Sequence, residues 1–244
     1  MKQSFFEITQ NIPLTKNVYR MKLRGDTSEV TAAGQFINIK LDGFYLRRPI
    51  SVCDCDADVI TIIYKVVGKG TEKMSRMQGG KLDVLTGLGN GYDTSVSGST
   101  PLLLGGGVGV PPLYLLAKHL IAEGKKVSVI LGFNTKDEVF YKAEFEALGA
   151  DVTVTTVDGS FGVKGFVTDA AADKDYSYYY TCGPEPMLKA IYGSLKTSGQ
   201  LSFEERMGCG FGACMGCSCK TVTGYKRICK DGPVLKKEEI LWEK

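Results

Sequence analysis

Between Ser4 and about Thr94 apolar residues recur at every second position in short runs: Phe6 and Ile8; Tyr19, Met21 and Leu23; Ile37, Ile39 and Leu41; then Val59 to Val67. Turns rich in Gly, Asp and Asn separate these runs, and no helix-period stretch intervenes. Such a pattern predicts an antiparallel β-barrel or sandwich. A polar stretch at 95–100, Ser-Val-Ser-Gly-Ser-Thr, marks a change of character. Beyond it, Leu102 to Leu104 reads as a buried strand, Pro111 to Glu123 as a helix, Val127 to Leu131 as a strand and Lys142 to Leu148 as a helix. Strands at Val152 to Val157 and Tyr178 to Thr181 and a helix from Glu185 to Leu195 complete the series. Strands alternating with helices predict a doubly wound parallel α/β sheet. From Leu201 onward Gly and Cys dominate and periodic apolar positions are few, so this part cannot build a conventional core and something else must hold it together. The expected organisation is a β-barrel over 1–97, an α/β domain over 98–200 and a cysteine-rich segment over 201–244.

Composition narrows the chemistry. The 244 residues are 43% hydrophobic and 23% charged, with a formal net charge of +3. These are ordinary globular values, and the positive charges form no block, so nothing points to nucleic acid or to an anionic membrane surface. The most apolar stretch, Pro101 to Ala122, is broken by Gly105-Gly106-Gly107, Pro111-Pro112 and Lys118, and falls short of a membrane span. The N-terminal residues have no apolar signal core, which points to the cytoplasm. With His119 as the single histidine, His-dependent zinc sites and a Ser-His-Asp triad drop out.

The eight cysteines are uneven: Cys53, Cys55 and Cys182 are scattered, whereas Cys209, Cys214, Cys217, Cys219 and Cys229 crowd into one segment. In a reducing compartment a crowd of this kind reads as a metal site. Cys209, Cys214 and Cys217 follow C-x4-C-x2-C, and Cys229 stands further on, the plant-type spacing of a [2Fe–2S] cluster. Interleaved glycines let such a loop wrap closely and aim backbone N–H groups at sulfur. A structural zinc ion held by four thiolates is the competing reading. Cys219 competes with Cys229 as fourth ligand by position, and reads better as a small buried hydrophobe.

Gly105, Gly106, Gly107 and Gly109 join a strand to a helix that opens on Pro111-Pro112, a place where a pyrophosphate would meet backbone N–H groups and the positive helix end. A plain tight turn is the alternative. Cys182-Gly183-Pro184 follows the last strand at its carboxyl end, where open α/β sheets bind ligands; an ordinary turn with a buried Cys explains it equally well. After the second strand, Gly132 to Glu138 carries acidic residues and no arginine, leaning to NAD over NADP. In the first domain Leu46-Arg47-Arg48-Pro49-Ile50-Ser51 precedes a strand, Ile63-Tyr64-Lys65 lies in the next, and Gly68 to Ser75 opens a short helix. These would suit a second pyrophosphate, or a solvated arginine on a barrel rim.

Taken in order, these pieces resemble the ferredoxin-reductase-like flavoproteins. Arg48-Pro49-Ile50-Ser51 matches their Arg-x-x-Ser flavin motif, and Gly105 to Gly109 with Cys182 to Pro184 matches their nicotinamide-nucleotide loops. Within that group the chain is most similar to the electron-transfer subunits of type B, NAD-dependent dihydroorotate dehydrogenases of pyrimidine synthesis. That similarity covers nearly the whole chain and also rests on Leu88-Gly89-Asn90-Gly91 and Glu204 to Cys217, with Cys229-Lys230-Asp231-Gly232-Pro233. The resemblance implies FAD contacts at Arg48, Pro49, Ile50, Ser51, Ile63, Tyr64, Lys65, Gly70 and Thr71. It places Cys182 near the nicotinamide of NAD, and makes Cys209, Cys214, Cys217 and Cys229 the ligands of a [2Fe–2S] cluster. It further implies an FMN-containing dihydroorotate dehydrogenase catalytic subunit as partner, two of each chain, with electrons running from that FMN to NAD⁺. Two other readings stand beside it. One is an NAD(P)H-dependent flavin and iron–sulfur reductase subunit serving ferredoxin, sulfur compounds or a hydrogenase. The other is a zinc-stabilised binding module without redox activity.

Overall fold

A computed structural model describes residues 1–242. Strands β1 (Lys2–Pro13), β2 (Val18–Arg24), β3 (Phe36–Ile39), β4 (Arg48–Asp56), β5 (Val59–Lys65) and β6 (Lys81–Leu88) close into an antiparallel barrel in the order β1-β2-β5-β4-β3-β6, with helix α1 (Lys69–Ser75) between β5 and β6. Closure satisfies every strand edge, as the alternating pattern required. Strand β3 departs from the alternation along its whole length: all four of its residues are buried. Ile37 and Ile39 belong to the barrel core, whereas Phe36 packs into a second apolar cluster with Leu201, Cys217 and Ile228. Thus β3 is a wall between two cores.

The second half is the expected α/β unit. It runs β7 (Pro101–Gly106), α2 (Pro111–Ala122), β8 (Ser128–Phe133), α3 (Lys142–Ala147), β9 (Asp151–Thr156), β10 (Val163–Lys164), α4 (Val167–Ala171), β11 (Tyr178–Cys182), α5 (Glu185–Ser194) and β12 (Gly199–Ser202). Leu113, Leu116, Ala117 and Leu120 give α2 its buried stripe, the i, i+3, i+4, i+7 spacing of one helix face. Gly124, at φ +80°, ends that helix in a left-handed turn that a β-carbon would strain. The same helix lies along β4 of the barrel, where Lys118 Nζ meets Asp54 Oδ1 at 3.0 Å.

After β12 come a small hairpin, β13 (Ser218–Thr221) and β14 (Gly224–Arg227), and a last strand, β15 (Val234–Lys236). The sheet order is β10-β9-β8-β7-β11-β12-β15, parallel except for β15, which runs antiparallel to β12 with Gln200 opposite Lys236 and Ser202 opposite Val234. The cysteine-rich segment is therefore clamped at both ends into the edge of the nucleotide-type sheet. Cys217, Ile228 and Cys229 between the clamps, with Leu235 of β15 and Ile240 after it, pack in one cluster with Leu102, Leu104, Tyr179 and Leu188 of the sheet and its helices, and with Phe36 and Leu88 of the barrel. The tail borrows a core from its neighbours, which is how so small a segment folds.

If the tail shares the sheet's core, Ile228→Ala, at a fully buried position, removes packing from both. We expect it to cost about 2–4 kcal/mol in urea unfolding, within one transition of the whole chain. A separate early transition of the tail, with the main midpoint unmoved, would show that the two fold independently.

Candidate functional site

Strands β7, β8 and β9 proceed in one direction across the sheet, and the chain then returns to lay β11 on the other side of β7. Ligands of open α/β sheets bind at the carboxyl ends of strands where the order reverses. Here that point lies between β7 and β11, where Cys182, the last residue of β11, is paired in register with Gly105 near the end of β7. Both loops singled out from the sequence therefore meet. Gly107–Gly109 form a single 3-10 turn, and Gly109 is pressed against β11: a β-carbon there would lie 2.3 Å from the Cys182 carbonyl oxygen. Pro111 and Pro112 occupy the first helical positions of α2 and have no N–H to offer. Any donors to an anion must come from the Gly107-Val108-Gly109 turn before the helix, not from its first residues.

The strand ends are fixed from the barrel side by Tyr92, a buried residue whose hydroxyl donates to the Thr181 carbonyl at 3.1 Å, while Thr181 Oγ1 donates to the Leu104 carbonyl at 2.8 Å. Burial pushes the Cys182 thiol up to about 12, so at neutral pH it is a neutral group that neither attacks nor takes a proton. Beyond β8, the Glu138 carboxylate accepts from the backbone N–H and the side-chain amide of Asn134, at 3.2 and 2.9 Å.

On the barrel, Arg48 begins β4 and its guanidinium lies over the Phe44 ring, 4.7 Å from the centroid. It also rests on Gly70 of α1, where a β-carbon would come within 2.3 Å of Nε. Arg48 and Gly70, far apart in sequence, thus share one place. Ser51, Pro49 and Ile50 are half-buried along β4. Thr71 Oγ1 accepts from the N–H groups of Val67 and Gly68, at 3.0 and 3.3 Å, and closes the turn into α1. Ile63 and Tyr64 lie in the barrel wall. The Tyr64 hydroxyl donates to Asn11 Oδ1 at 3.0 Å, and Asn11 Nδ2 in turn donates to the Met74 and Met77 carbonyls at the end of α1. Tyr64 therefore spends its hydroxyl on anchoring α1, while Lys65 is exposed at the end of β5. Arg47, given no role of its own by the sequence, donates through Nη1 to the carbonyls of Asn38 and Asp83, and Nη2 pairs with Asp83 Oδ1 at 2.9 Å. It fills in for Pro49, which stands opposite Asn38 and has no N–H for the ladder.

The four cysteines of the tail come together as two pairs. Cys209 Sγ accepts from the N–H groups of Ala213 and Cys214, at 3.2 and 3.4 Å, and from the Cys214 thiol. Cys217 Sγ accepts from the Cys229 N–H at 3.4 Å, and the two thiols are hydrogen-bonded. Among the described residues no three His, Cys, Asp or Glu side chains close on a single point. Burial pushes the Cys209 thiol up, but the N–H groups of Phe211, Cys214 and Ala213 outweigh it and bring it down to about 6. Cys229, buried beside Cys217, is pushed up to about 12. Gly210 and Gly212, at φ +80° and +93°, give the loop its left-handed turns. Arg227 ties the distant Cys229 to this loop: Nη1 donates to the Gly212 carbonyl at 3.0 Å and Nε to Asp231 Oδ2 at 2.9 Å. Two thiol pairs served by backbone N–H donors fit a two-iron cluster, with two thiolates on each iron, better than one tetrahedral ion. Cys219 sits apart in β13, opposite Lys226, and lines a cleft with Phe203, Glu205 and Trp242. Burial raises its thiol.

Residues 204–241 match the family model of the iron–sulfur cluster binding domain of dihydroorotate dehydrogenase B, and residues 103–192 match that of the oxidoreductase NAD-binding domain. A dihydroorotate dehydrogenase B (NAD(+)) electron transfer subunit from Fusobacterium nucleatum is 45% identical, with 96% of each chain covered. The subunit of the same name from Bacillus pumilus is 46% identical over 98% of both chains. The chain belongs to the electron transfer subunits of dihydroorotate dehydrogenase B. Among solved structures, one described as the NADH-dependent reduced ferredoxin-NADP oxidoreductase of flavin-based electron bifurcation superposes with a TM-score of 0.88 at 30% identity, covering 98% of this chain and 90% of that one. As a member of this family the chain is an oxidoreductase subunit, and FAD, a [2Fe–2S] cluster and NAD form its cofactor set.

The pairing of thiols makes the ligand set testable. Cys229→Ser, which breaks one pair, should abolish or strongly bleach the iron–sulfur absorption bands, whereas Cys219→Ser should leave them in place. A Cys219 variant that bleaches while the Cys229 variant stays brown would overturn the assignment.

Proposed function

We propose that this chain carries electrons from an FMN-containing dihydroorotate-oxidising subunit to NAD⁺, in an assembly of two copies of each chain in the cytoplasm. The observation that supports it most directly is the clamping of the thiol loop between the barrel and the edge of the nucleotide-type sheet. One protein body thereby holds a one-electron site beside a two-electron site. When bound, the cluster exchanges single electrons and the flavin converts them into the hydride that NAD requires.

Each part of the chain has a task in that reading. Cys209, Cys214, Cys217 and Cys229 ligate the cluster, and Arg227 with Asp231 holds the last of them in reach. Arg48 supplies a positive charge to the flavin pyrophosphate, with Gly70 leaving room for it, and Pro49, Ile50 and Ser51 line the flavin along β4. Ile63 and Lys65 contribute from β5, Ile63 through its backbone. Tyr64 and Thr71 set the position of α1. The turn Gly105 to Gly109 receives the NAD pyrophosphate through backbone N–H groups, and Cys182-Gly183-Pro184 borders the nicotinamide. Cys182, kept neutral by burial, shapes that pocket without exchanging protons. Among the described residues no helix is long and apolar enough to cross a membrane.

Because Gly109 faces the Cys182 carbonyl at the distance of direct contact, Gly109→Ala should push the two loops apart. We expect NADH to bind at least about tenfold more weakly, read as a raised KM for NADH oxidation with an artificial acceptor, while FAD content stays unchanged. Equal NADH affinity in the variant would remove this turn from the site.

The reading as a whole is tested by reconstitution. The purified chain should oxidise NADH with an artificial acceptor yet leave dihydroorotate untouched. Adding the FMN-containing subunit should yield NAD⁺-dependent orotate formation that disappears when the cluster is removed. Dihydroorotate oxidation by the single chain, or undiminished NAD⁺ reduction without the cluster, would refute the relay.

A further inference from the structure

Asn38 lies midway along β3, in the wall shared by the two cores, and is 1% exposed. Its neighbours on the strand are Ile37 and Ile39, so it is a carboxamide inside an otherwise apolar run. On one side of it stands the flavin motif: Asn38 is paired with Pro49 of β4. On the other stands the thiol loop: Nδ2 donates to the Cys209 carbonyl at 3.4 Å. The loop comes so close that a β-carbon on Gly210 would lie 2.3 Å from Nδ2. Its side-chain oxygen, Oδ1, is buried and has no hydrogen-bond partner among the described residues.

Buried amide oxygens are nearly always paired, and one left alone calls for a donor from outside the protein chain. The orientation of the amide is fixed by chemistry, since turning it over would set Oδ1 against the Cys209 carbonyl oxygen. Pro49, directly across the ladder, has no N–H to give, and the backbone carbonyl of Asn38 is already served by Arg47. The donor missing from this place is therefore one that a molecule lying along β4 would bring.

We propose that Asn38 is a positioning residue that joins the flavin to the cluster loop: Nδ2–H holds the Cys209 carbonyl, and Oδ1 accepts a hydrogen bond from an N–H or O–H group of FAD. The inference rests on the reading of Arg48 to Ser51 as the flavin strand and of Cys209 as a cluster ligand. A single rigid carboxamide then spans the gap between the two redox groups and fixes their separation. Backbone contacts around a ligand cysteine also influence the electronic state of a cluster, so the amide acts on both sites.

The test uses the full chain, loaded with its cluster, freed of flavin and titrated with FAD. Asn38→Leu keeps the shape and removes both halves of the joint; Asn38→Asp keeps the acceptor and removes the donor. We expect Asn38→Leu to weaken FAD binding about fivefold, the effect of one lost hydrogen bond, and Asn38→Asp to bind FAD within about twofold of the native chain. Both variants lack the donor to Cys209, so both should shift the electron paramagnetic resonance g-values of the dithionite-reduced cluster. Circular dichroism and thermal melting establish that each variant is folded, and if Asn38→Leu is not, the Asn38→Asp resonance spectrum carries the cluster half of the test. Unchanged FAD affinity in Asn38→Leu, an Asn38→Asp variant as weak as Asn38→Leu, or native g-values in both variants would overturn the proposal. A native chain that binds neither FAD nor a two-iron cluster would instead refute the assignment on which it rests.

Discussion

The antiparallel pairing of β15 with β12 is the contact on which the rest of this structure depends. Gln200, Leu201 and Ser202 face Lys236, Leu235 and Val234 across one ladder, and that ladder returns the end of the chain to the edge of the sheet. A loop of cysteines and glycines has too little apolar surface to order itself. Pinned at both ends, it needs only to choose among the few paths that reach from β12 to β15. Ile228, Cys217 and Cys229 then fill space between the sheet and the barrel that a free tail would leave open.

That arrangement explains the unusual burial of β3. A barrel strand normally shows one face to the core and the other to water. Here the outer face is covered by the docked tail, so Phe36 and Asn38 are as buried as Ile37 and Ile39. The same covering brings Cys209 against the strand that pairs with the Arg48 to Ser51 segment. Proximity of the thiol loop to the Arg48 to Ser51 strand is thus a by-product of how the tail obtains its core.

Polar groups at the junctions follow one rule: each is placed where a regular backbone bond is missing. Arg47 supplies the donor that Pro49 lacks. Thr71 caps the turn into α1, Asn11 collects the last carbonyls of that helix, and Tyr92 binds the end of β11 from across the domain boundary. An unsatisfied buried backbone group is costly, about 1–3 kcal/mol, which is reason enough for side chains to serve these ends.

The sequence by itself determined the local order of this protein. Period-two runs such as Tyr19-Met21-Leu23 and the stripe of Leu113, Leu116 and Leu120 report which face of an element is buried. The spacing of Cys209, Cys214 and Cys217 and the glycines of 105–109 report chemistry within a short reach of chain. Strand β4 was harder to see because it opens on Arg48-Pro49 and its last four residues, Cys53, Asp54, Cys55 and Asp56, are all thiol or acidic groups, so alternation is weak. Residues that act across long separations left no periodic trace: Asn38 against Cys209, Arg227 against Gly212, Tyr92 against Thr181. A lone Asn inside Phe36-Ile37-Asn38-Ile39 was the one available signal, a polar group in a run that gave no reason for it. Only the tertiary structure decided that the tail completes the sheet, that Tyr64 anchors a helix with its hydroxyl, and that Gly109 is pressed against the carbonyl of Cys182. Such facts depend on which distant groups meet, and a linear pattern records only how each segment divides its residues between core and water.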